Sequence, residues 1–272
     1  MTDKPRGPSG ELASYQRDRF SAGGIEHDIY RKGSGPAVIV LTEMPGITPR
    51  VLGFADRVAA MGCSVILPQL FGTPGREPGS LRYGLKSALS VCISREFTMF
   101  ALHKTAPIID WLRALARHEH ARCGGPGVGA VGMCFTGGFA LAMSTDPRIL
   151  APVLSQPSLP AALKKADRAS IDCSPSDLDL VKQRCQRDGL RVLGLRFERD
   201  PLSPGERFDF LRQQLGDAFV AVELDPAHRH PDGYLRNAHS VLTEDLIDSP
   251  GEPTRDALDQ VLALFRSKLL AA

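Results

Sequence analysis

The alternation of short apolar runs with longer amphipathic stretches is the feature that most restricts how this chain folds. Apolar runs rich in β-branched residues occur from about residue 26 onward, at 36–42, 63–68, 128–133, 149–155, 190–197 and 218–224. Stretches with helical periodicity separate most of them. Because strands that alternate with helices form parallel sheets covered on both faces, the pattern predicts an α/β fold with a mostly parallel central sheet.

Proline, glycine and capping residues mark the predicted helices. The spacing predicts helices over 49–62, 95–118, 175–187, 204–215 and 254–270. Pro107 is expected to interrupt the second of these, and Ser174 is a candidate N-cap for the third. No linker or internal repeat divides the pattern, so we expect one domain over residues 13–272, preceded by a flexible tail of residues 1–12.

Charge and hydropathy argue against nucleic acids and membranes as binding partners. The 272 residues include 33 basic and 31 acidic side chains without a long block of one sign, which argues against capture of nucleic acid or of an acidic membrane. The N-terminal segment is polar and no apolar run approaches the roughly 18 residues of a membrane span. We therefore expect a cytoplasmic protein whose partner is a small molecule; the pattern predicts no oligomeric state.

The cysteines and histidines show no metal-binding pattern. Six cysteines are scattered without a CxxC pair, so neither a disulfide framework nor a zinc site is expected. His228 and His230 form a His-x-His pair, but no third ligand accompanies them. The sequence thus predicts no metal and no organic cofactor.

Cys134 occupies an unusual position in "GMCFTGG", at the join between a predicted strand and helix. The carboxyl ends of parallel strands are where α/β proteins bind ligands. Gly132 and Gly137 suit a sharp turn in which backbone approaches backbone closely. The motif alone fits two interpretations equally: a nucleophile at a strand–helix elbow, or a buried structural thiol.

Residues after later strands favour the nucleophile. Asp200 follows the run at 190–197, and His228, His230 and His239 follow the run at 218–224. The order nucleophile, acid, histidine, each after a strand, is that of the α/β-hydrolase fold. Spacing does not choose among the histidines; His239 is preferred because small and apolar residues follow it.

The chain from about Ala37 to its C-terminal helix resembles the dienelactone hydrolase family, α/β-hydrolases with a cysteine nucleophile. The segments that carry the resemblance are "LTEMPGI", "GCSVILPQLFG", "GMCFTGG", "DPLSP" and "AHSVL". The resemblance implies that Cys134 is the nucleophile, Asp200 the acid and His239 the base. It also implies that Glu43 contacts the resting thiol and helps to form the thiolate.

The resemblance extends to residues expected to bind the substrate. It implies an oxyanion hole formed by the backbone N–H groups of Met44 and Phe135. Arg82 and Arg95 lie in the segment where family members place carboxylate-binding arginines, which would suit an anionic substrate. Thr136 stands where many members have glycine, and is expected either to tighten the turn or to present its hydroxyl to the substrate.

Gln69 is a second departure, because many members have aspartate there; we expect it to affect local hydrogen bonds rather than chemistry. The predicted reaction is hydrolysis of an activated ester or lactone through a thioester. A glutaminase-like cysteine amidohydrolase is a weaker alternative, since those enzymes carry a late His-x-Glu pair and "HSVL" follows here instead. A non-catalytic binding or regulatory protein on the same scaffold is the other alternative.

Overall fold

An eight-stranded sheet forms the centre of the molecule. The computed structural model describes residues 7, 9–77, 106–159, 168–225, 234 and 237–271. The strands are β1 (Gln16–Ala22), β2 (Ile25–Lys32), β3 (Ala37–Leu41), β4 (Ser64–Pro68), β5 (Val128–Met133), β6 (Ile149–Ser155), β7 (Val192–Phe197) and β8 (Phe219–Leu224). Their order is β1-β2-β4-β3-β5-β6-β7-β8, and only the β1–β2 and β2–β4 pairs are antiparallel. The predicted, mostly parallel α/β fold is confirmed.

Four of the described helices begin within one residue of their predicted starts. They are α1 (Pro49–Ala60), α2 (Pro107–Cys123), α3 (Gly137–Met143), α4 (Pro175–Arg187), α5 (Gly205–Leu215) and α6 (Pro253–Phe265). The side chain of Ser174 accepts the backbone N–H of Asp177, as predicted for an N-cap. The predicted interruption at Pro107 is confirmed: the proline starts α2, because its ring fits the first turn of a helix but not its interior. Residues 95–105 lie outside the described residues.

The helices cover both faces of the sheet. Along β3, Ile39 and Leu41 pack into the apolar cluster that contains side chains of α2 and α3. Val38 and Val40 point the other way, into the cluster that contains side chains of α1 and α6. Of the helices in the described ranges, none is long and apolar enough to cross a membrane.

The hairpin of β1 and β2 was missed at the sequence level. Gly23 and Gly24 have φ angles of 60° and 79°, as a tight two-residue hairpin turn requires. The Gly-Gly pair was the available signal, but β1 is mostly exposed and charged, which hides its alternation. The flexible tail predicted for residues 1–12 stays a prediction, since residues 1–6 and 8 lie outside the described residues. Among the described residues of this segment, Gly10 donates its backbone N–H to the carbonyl of Pro49 at 2.8 Å.

Candidate active site

Cys134 lies at a sharp turn directly after β5. Its φ angle is +55°, a left-handed conformation that a non-glycine residue adopts at a cost of about 1–3 kcal/mol and that is common at functional sites. A Cβ atom on Gly132 would overlap the carbonyl oxygen of Thr136, and one on Gly137 would lie 2.6 Å from Cβ of Pro157. The close backbone approach predicted from the two glycines is confirmed.

Gly132→Ala should lower the free energy of unfolding by about 3 kcal/mol, because the added methyl group forces the backbone of the elbow apart. Denaturant titration measures the change. Gly205→Ala is the matched control, since a Cβ atom there meets no atom closer than 3.7 Å. Equal stability of the two variants would contradict this explanation of the glycine.

Asp200 and His239 form a hydrogen-bonded pair, although 38 residues separate them in the sequence. Nδ1 of His239 lies 2.6 Å from Oδ2 of Asp200, which is fully buried. The other oxygen, Oδ1, accepts the backbone N–H of Leu202 at 2.9 Å, which fixes the carboxylate. Of the three candidate histidines, His239 is thus the one that the structure shows hydrogen-bonded to Asp200. His228 and His230 lie outside the described residues.

The second ring nitrogen of His239 is available to Cys134. Burial would lower the pKa of His239, but the negative charge of Cys134 and the hydrogen bond to Asp200 outweigh it and raise that pKa well above the ordinary value of 6.5. A side-chain hydrogen bond with Cys134 also contributes to this rise. The imidazole therefore interacts with Asp200 on one side and with the thiol on the other.

Glu43 follows β3 and is buried, but its carboxylate contacts other side chains. Its Oε2 atom accepts hydrogen bonds from Oγ of Ser240 at 2.7 Å and Nε2 of Gln156 at 3.1 Å. Its Oε1 atom accepts the hydroxyl of Thr243. Its hydrogen bonds thus connect Glu43 to the loop that carries His239. The predicted contact with the thiol stays a prediction.

Met44 and Phe135 lie at the same level of the sheet. Leu41 of β3 pairs with Gly132 of β5, and Met44 and Phe135 each follow three residues later. Phe135 is buried, and its ring packs edge-on against Phe139 with 5.3 Å between the centroids. The register is compatible with an oxyanion hole from these two N–H groups, which stays a proposal.

Thr136 and Gln69 both make local hydrogen bonds. The buried hydroxyl of Thr136 donates to the carbonyl of Leu41 and accepts the N–H of Met133, both at 2.9 Å. These bonds tie the ends of β3 and β5 together, which favours the turn-tightening role over contact with substrate. Gln69 donates to the carbonyl of Gly72 at 3.1 Å, in line with the predicted local effect. The two candidate arginines at positions 82 and 95 lie outside the described residues.

A family model described as the dienelactone hydrolase family matches residues 28–174, more than half of the chain. The protein belongs to the dienelactone hydrolase family. It is accordingly a hydrolase of a family that acts on ester bonds of small molecules. The matched range includes Glu43 and Cys134; Asp200 and His239 lie beyond it.

Solved structures of the same family share the fold. A Klebsiella pneumoniae protein assigned as a dienelactone hydrolase aligns with a TM-score of 0.59 at 20% identity, over 92% of this chain and 97% of its own. The dienelactone hydrolase of Anabaena variabilis gives 0.58 at 15%, over 94% and 99%. A dienelactone hydrolase-like promiscuous phosphotriesterase from metagenomic libraries gives 0.62 at 17%, over 94% and 98%. No curated protein matches the chain.

Arg207 is a buried residue near the site, and no sequence pattern indicates it. Its guanidinium donates to the carbonyls of Ser170 and Pro157 at 2.6 and 2.8 Å. Burial lowers its pKa to about 10, while the charges of Asp200 and Cys134 act in the opposite direction. Arg207 therefore adds a buried positive charge near the acid and the thiol. Nothing in "SPGERF" distinguishes it from a solvated helix arginine.

Asp172 packs under the elbow and should make stability depend on pH. Its backbone oxygen lies 2.6 Å from where a Cβ atom on Gly138 would stand, and among the described residues its Oδ2 atom has no hydrogen-bond partner. Burial raises its pKa from 3.8 to about 7. The folded state therefore holds a proton that the unfolded chain has lost between about pH 4 and 7, so this contribution to stability declines as pH rises.

Asp172→Asn should consequently stabilise the protein at high pH. We expect a gain in unfolding free energy on the order of 2 kcal/mol at pH 8 and little gain at pH 4. Thermal or denaturant unfolding over this range measures it. Asp179→Asn, at a carboxylate that is 68% exposed, is the control. A gain independent of pH would contradict the prediction.

Proposed function

We propose that this protein hydrolyses activated esters or lactones through a thioester on Cys134. The observation that carries the proposal is the arrangement of three side chains after three strands. Cys134 occupies a left-handed turn, its charge acts on the buried ring of His239, and Asp200 holds that ring at 2.6 Å. A nucleophile, a base and an orienting carboxylate in this relation are the requirements of acyl transfer.

In the acylation step, the Cys134 thiolate attacks the carbonyl carbon of the substrate. The negative charge moves to the carbonyl oxygen, which the N–H groups of Met44 and Phe135 stabilise. As the intermediate collapses, the bond to the leaving oxygen breaks, and His239 gives that oxygen its proton. The product of this step is a thioester on Cys134 and a released alcohol or enol.

Water completes the reaction. His239 accepts a proton from water as the water oxygen attacks the thioester carbonyl. Collapse of the second intermediate breaks the carbon–sulfur bond, releases the carboxylic acid and regenerates the thiolate beside protonated His239. Asp200 keeps the Nδ1 side of the ring oriented throughout, so that Nε2 faces the reacting atoms.

A thiolate nucleophile should make the enzyme selective for good leaving groups. Thiolate leaves a tetrahedral intermediate more readily than a simple alkoxide does, so alkyl esters tend to return to substrate. The test compares aryl, enol and ethyl esters of the same acid, with each kcat/KM divided by the rate of the uncatalysed hydrolysis of that ester. We expect the resulting ratio for the aryl and enol esters to exceed that for the ethyl ester by roughly 100-fold, which corresponds to a difference of about 2.7 kcal/mol in the barrier. Equal values for all three would contradict a thiolate nucleophile.

Two finer features of the substrate and location remain proposals. An anionic substrate held by Arg82 or Arg95 is proposed from their place in the sequence, and a matched pair of neutral and carboxylate-bearing aryl esters tests it. A cytoplasmic location is likewise a proposal. The glutaminase-like alternative receives no support from the site, since the partner of His239 is Asp200.

A further inference from the structure

The carboxylate of Glu43 joins three separate parts of the site. Glu43 is only 4% exposed, and both of its oxygens accept hydrogen bonds from neutral side chains: Ser240, Thr243 and Gln156. The three donors come from two different loops and fix the carboxylate in a buried place. These contacts indicate that Glu43 positions the groups around it.

Two of the three donors belong to the loop that holds His239. The N–H groups of His239 and Ser240 donate to Oδ2 of Asp245 at 2.8 and 3.0 Å, and the N–H of Thr243 donates to the carbonyl of Ser240 at 3.2 Å. The loop is therefore a compact turn that is closed around the carboxylate of Asp245. Glu43, which follows β3, accepts hydrogen bonds from the hydroxyl groups of Ser240 and Thr243 in this turn. The position of Glu43 therefore helps to set the position of the His239 imidazole.

Gln156 connects the same carboxylate to the far side of the nucleophile. In the sheet, β5 lies between β3 and β6, and Leu41, Gly132 and Leu154 pair across them. Two residues later on each chain stand Glu43, Cys134 and Gln156. Neighbouring strands are about 4.8 Å apart, so the 3.1 Å bond between Glu43 and Gln156 spans the end of the strand that carries the thiol.

The local structure fixes the amide of Gln156. The residue is fully buried and has a φ angle of +37°, outside the conformations that glutamine normally adopts. Its N–H donates to the carbonyl of Leu195 at 2.6 Å, and its Oε1 atom accepts the hydroxyl of Ser155. With the oxygen engaged, the amide NH2 group is directed at Glu43.

We propose that Glu43 and Gln156 are positioning residues, whose carboxylate–amide bridge across the end of β5 holds the His239 loop in line with Cys134. The proposal rests on the proposed function for its catalytic meaning, and a misplacement of about 1 Å at such a site lowers the rate on the order of 100-fold.

Exchange of the two side chains tests the bridge. Gln156→Glu opposes two carboxylates, and Glu43→Gln opposes two amides; each should lower kcat for an aryl ester by about 100-fold with KM nearly unchanged. The double variant restores an amide facing a carboxylate and should recover to within about 10-fold of the wild-type kcat. Gln183→Glu makes the same chemical change at an exposed position and serves as the control. No recovery in a folded double variant would overturn the proposal.

Alkylation of Cys134 by iodoacetamide tests the positioning of His239 without a substrate. The charges of His239 and Cys134 interact, so Thr243→Val, which loosens the contact with Glu43 but changes no charge, should raise the pH midpoint of alkylation. A midpoint equal to that of the wild type would overturn the proposal. If the wild type hydrolysed no ester, the proposed function would fail, yet this measurement would still decide the role of Glu43.

Thr243 supplies a test that does not depend on the folding of the exchange variants. Thr243→Val removes one hydroxyl from Glu43 with little change of shape and should lower kcat about 10-fold, while Thr243→Ser should restore it. An unchanged kcat in Thr243→Val, or equal losses in both variants, would contradict the positioning role.

Discussion

Cys134→Ala should lower kcat/KM for an activated aryl ester by at least about 10⁴-fold, because the variant has no atom that can form the thioester. The methyl side chain still occupies the elbow, so the midpoint of thermal unfolding should change little. Steady-state kinetics and unfolding of the same preparation measure both effects.

Cys185→Ala is the matched control for the loss of a thiol. Cys185 is also a free, partly buried thiol and lies on α4. We expect this variant to keep wild-type kinetics. Activity retained in Cys134→Ala would remove the thiol from the mechanism, whereas activity lost in both would point to a general effect on folding.

Asp200→Asn should lower kcat/KM on the order of 10³-fold. An amide that offers its NH2 group to Nδ1 of His239 favours the wrong tautomer, in which Nε2 carries the proton and cannot accept one. The side chain keeps its size, and its oxygen can still accept the N–H of Leu202. The fold should therefore be retained.

The exposed carboxylate of Asp209, on α5, provides the control for Asp200. Its side chain is 75% exposed, so Asp209→Asn should leave the kinetics unchanged. The pH dependence adds a second criterion: Asp200→Asn should shift the upper limb of the kcat/KM profile to lower pH, since acylation needs protonated His239 and the carboxylate helps to raise the pKa of His239. A small loss without this shift would contradict the assigned pair.

The buried strands were predictable because parallel strands are apolar on both faces. The runs at 36–42 and 149–155 correspond to Ala37–Leu41 and Ile149–Ser155, within one residue at each end. The hairpin of β1 and β2 was not found, because exposed charged residues give β1 no apolar face. Its Gly-Gly turn was the only local sign.

The proposed catalytic residues were partly predictable for a topological reason. Cys134, Asp200 and His239 each follow a strand, and the carboxyl ends of neighbouring parallel strands meet at one edge of the sheet. Gln156 and Thr243 were missed, because their bonds to Glu43 join loops that no sequence periodicity connects. For the same reason the sequence predicted that Glu43 lies at the site but did not predict which side chains it binds.

Trapping of the acyl-enzyme tests the central claim most directly. We propose mixing the enzyme with a slowly hydrolysed aryl ester, quenching in acid within the first turnover, and measuring intact and peptide masses. The account predicts that the peptide containing Cys134 gains the mass of the acyl group, that hydroxylamine removes it, and that Cys134→Ala shows no gain. Turnover of the ester with no acyl group on Cys134, or with the group on another residue, would contradict it.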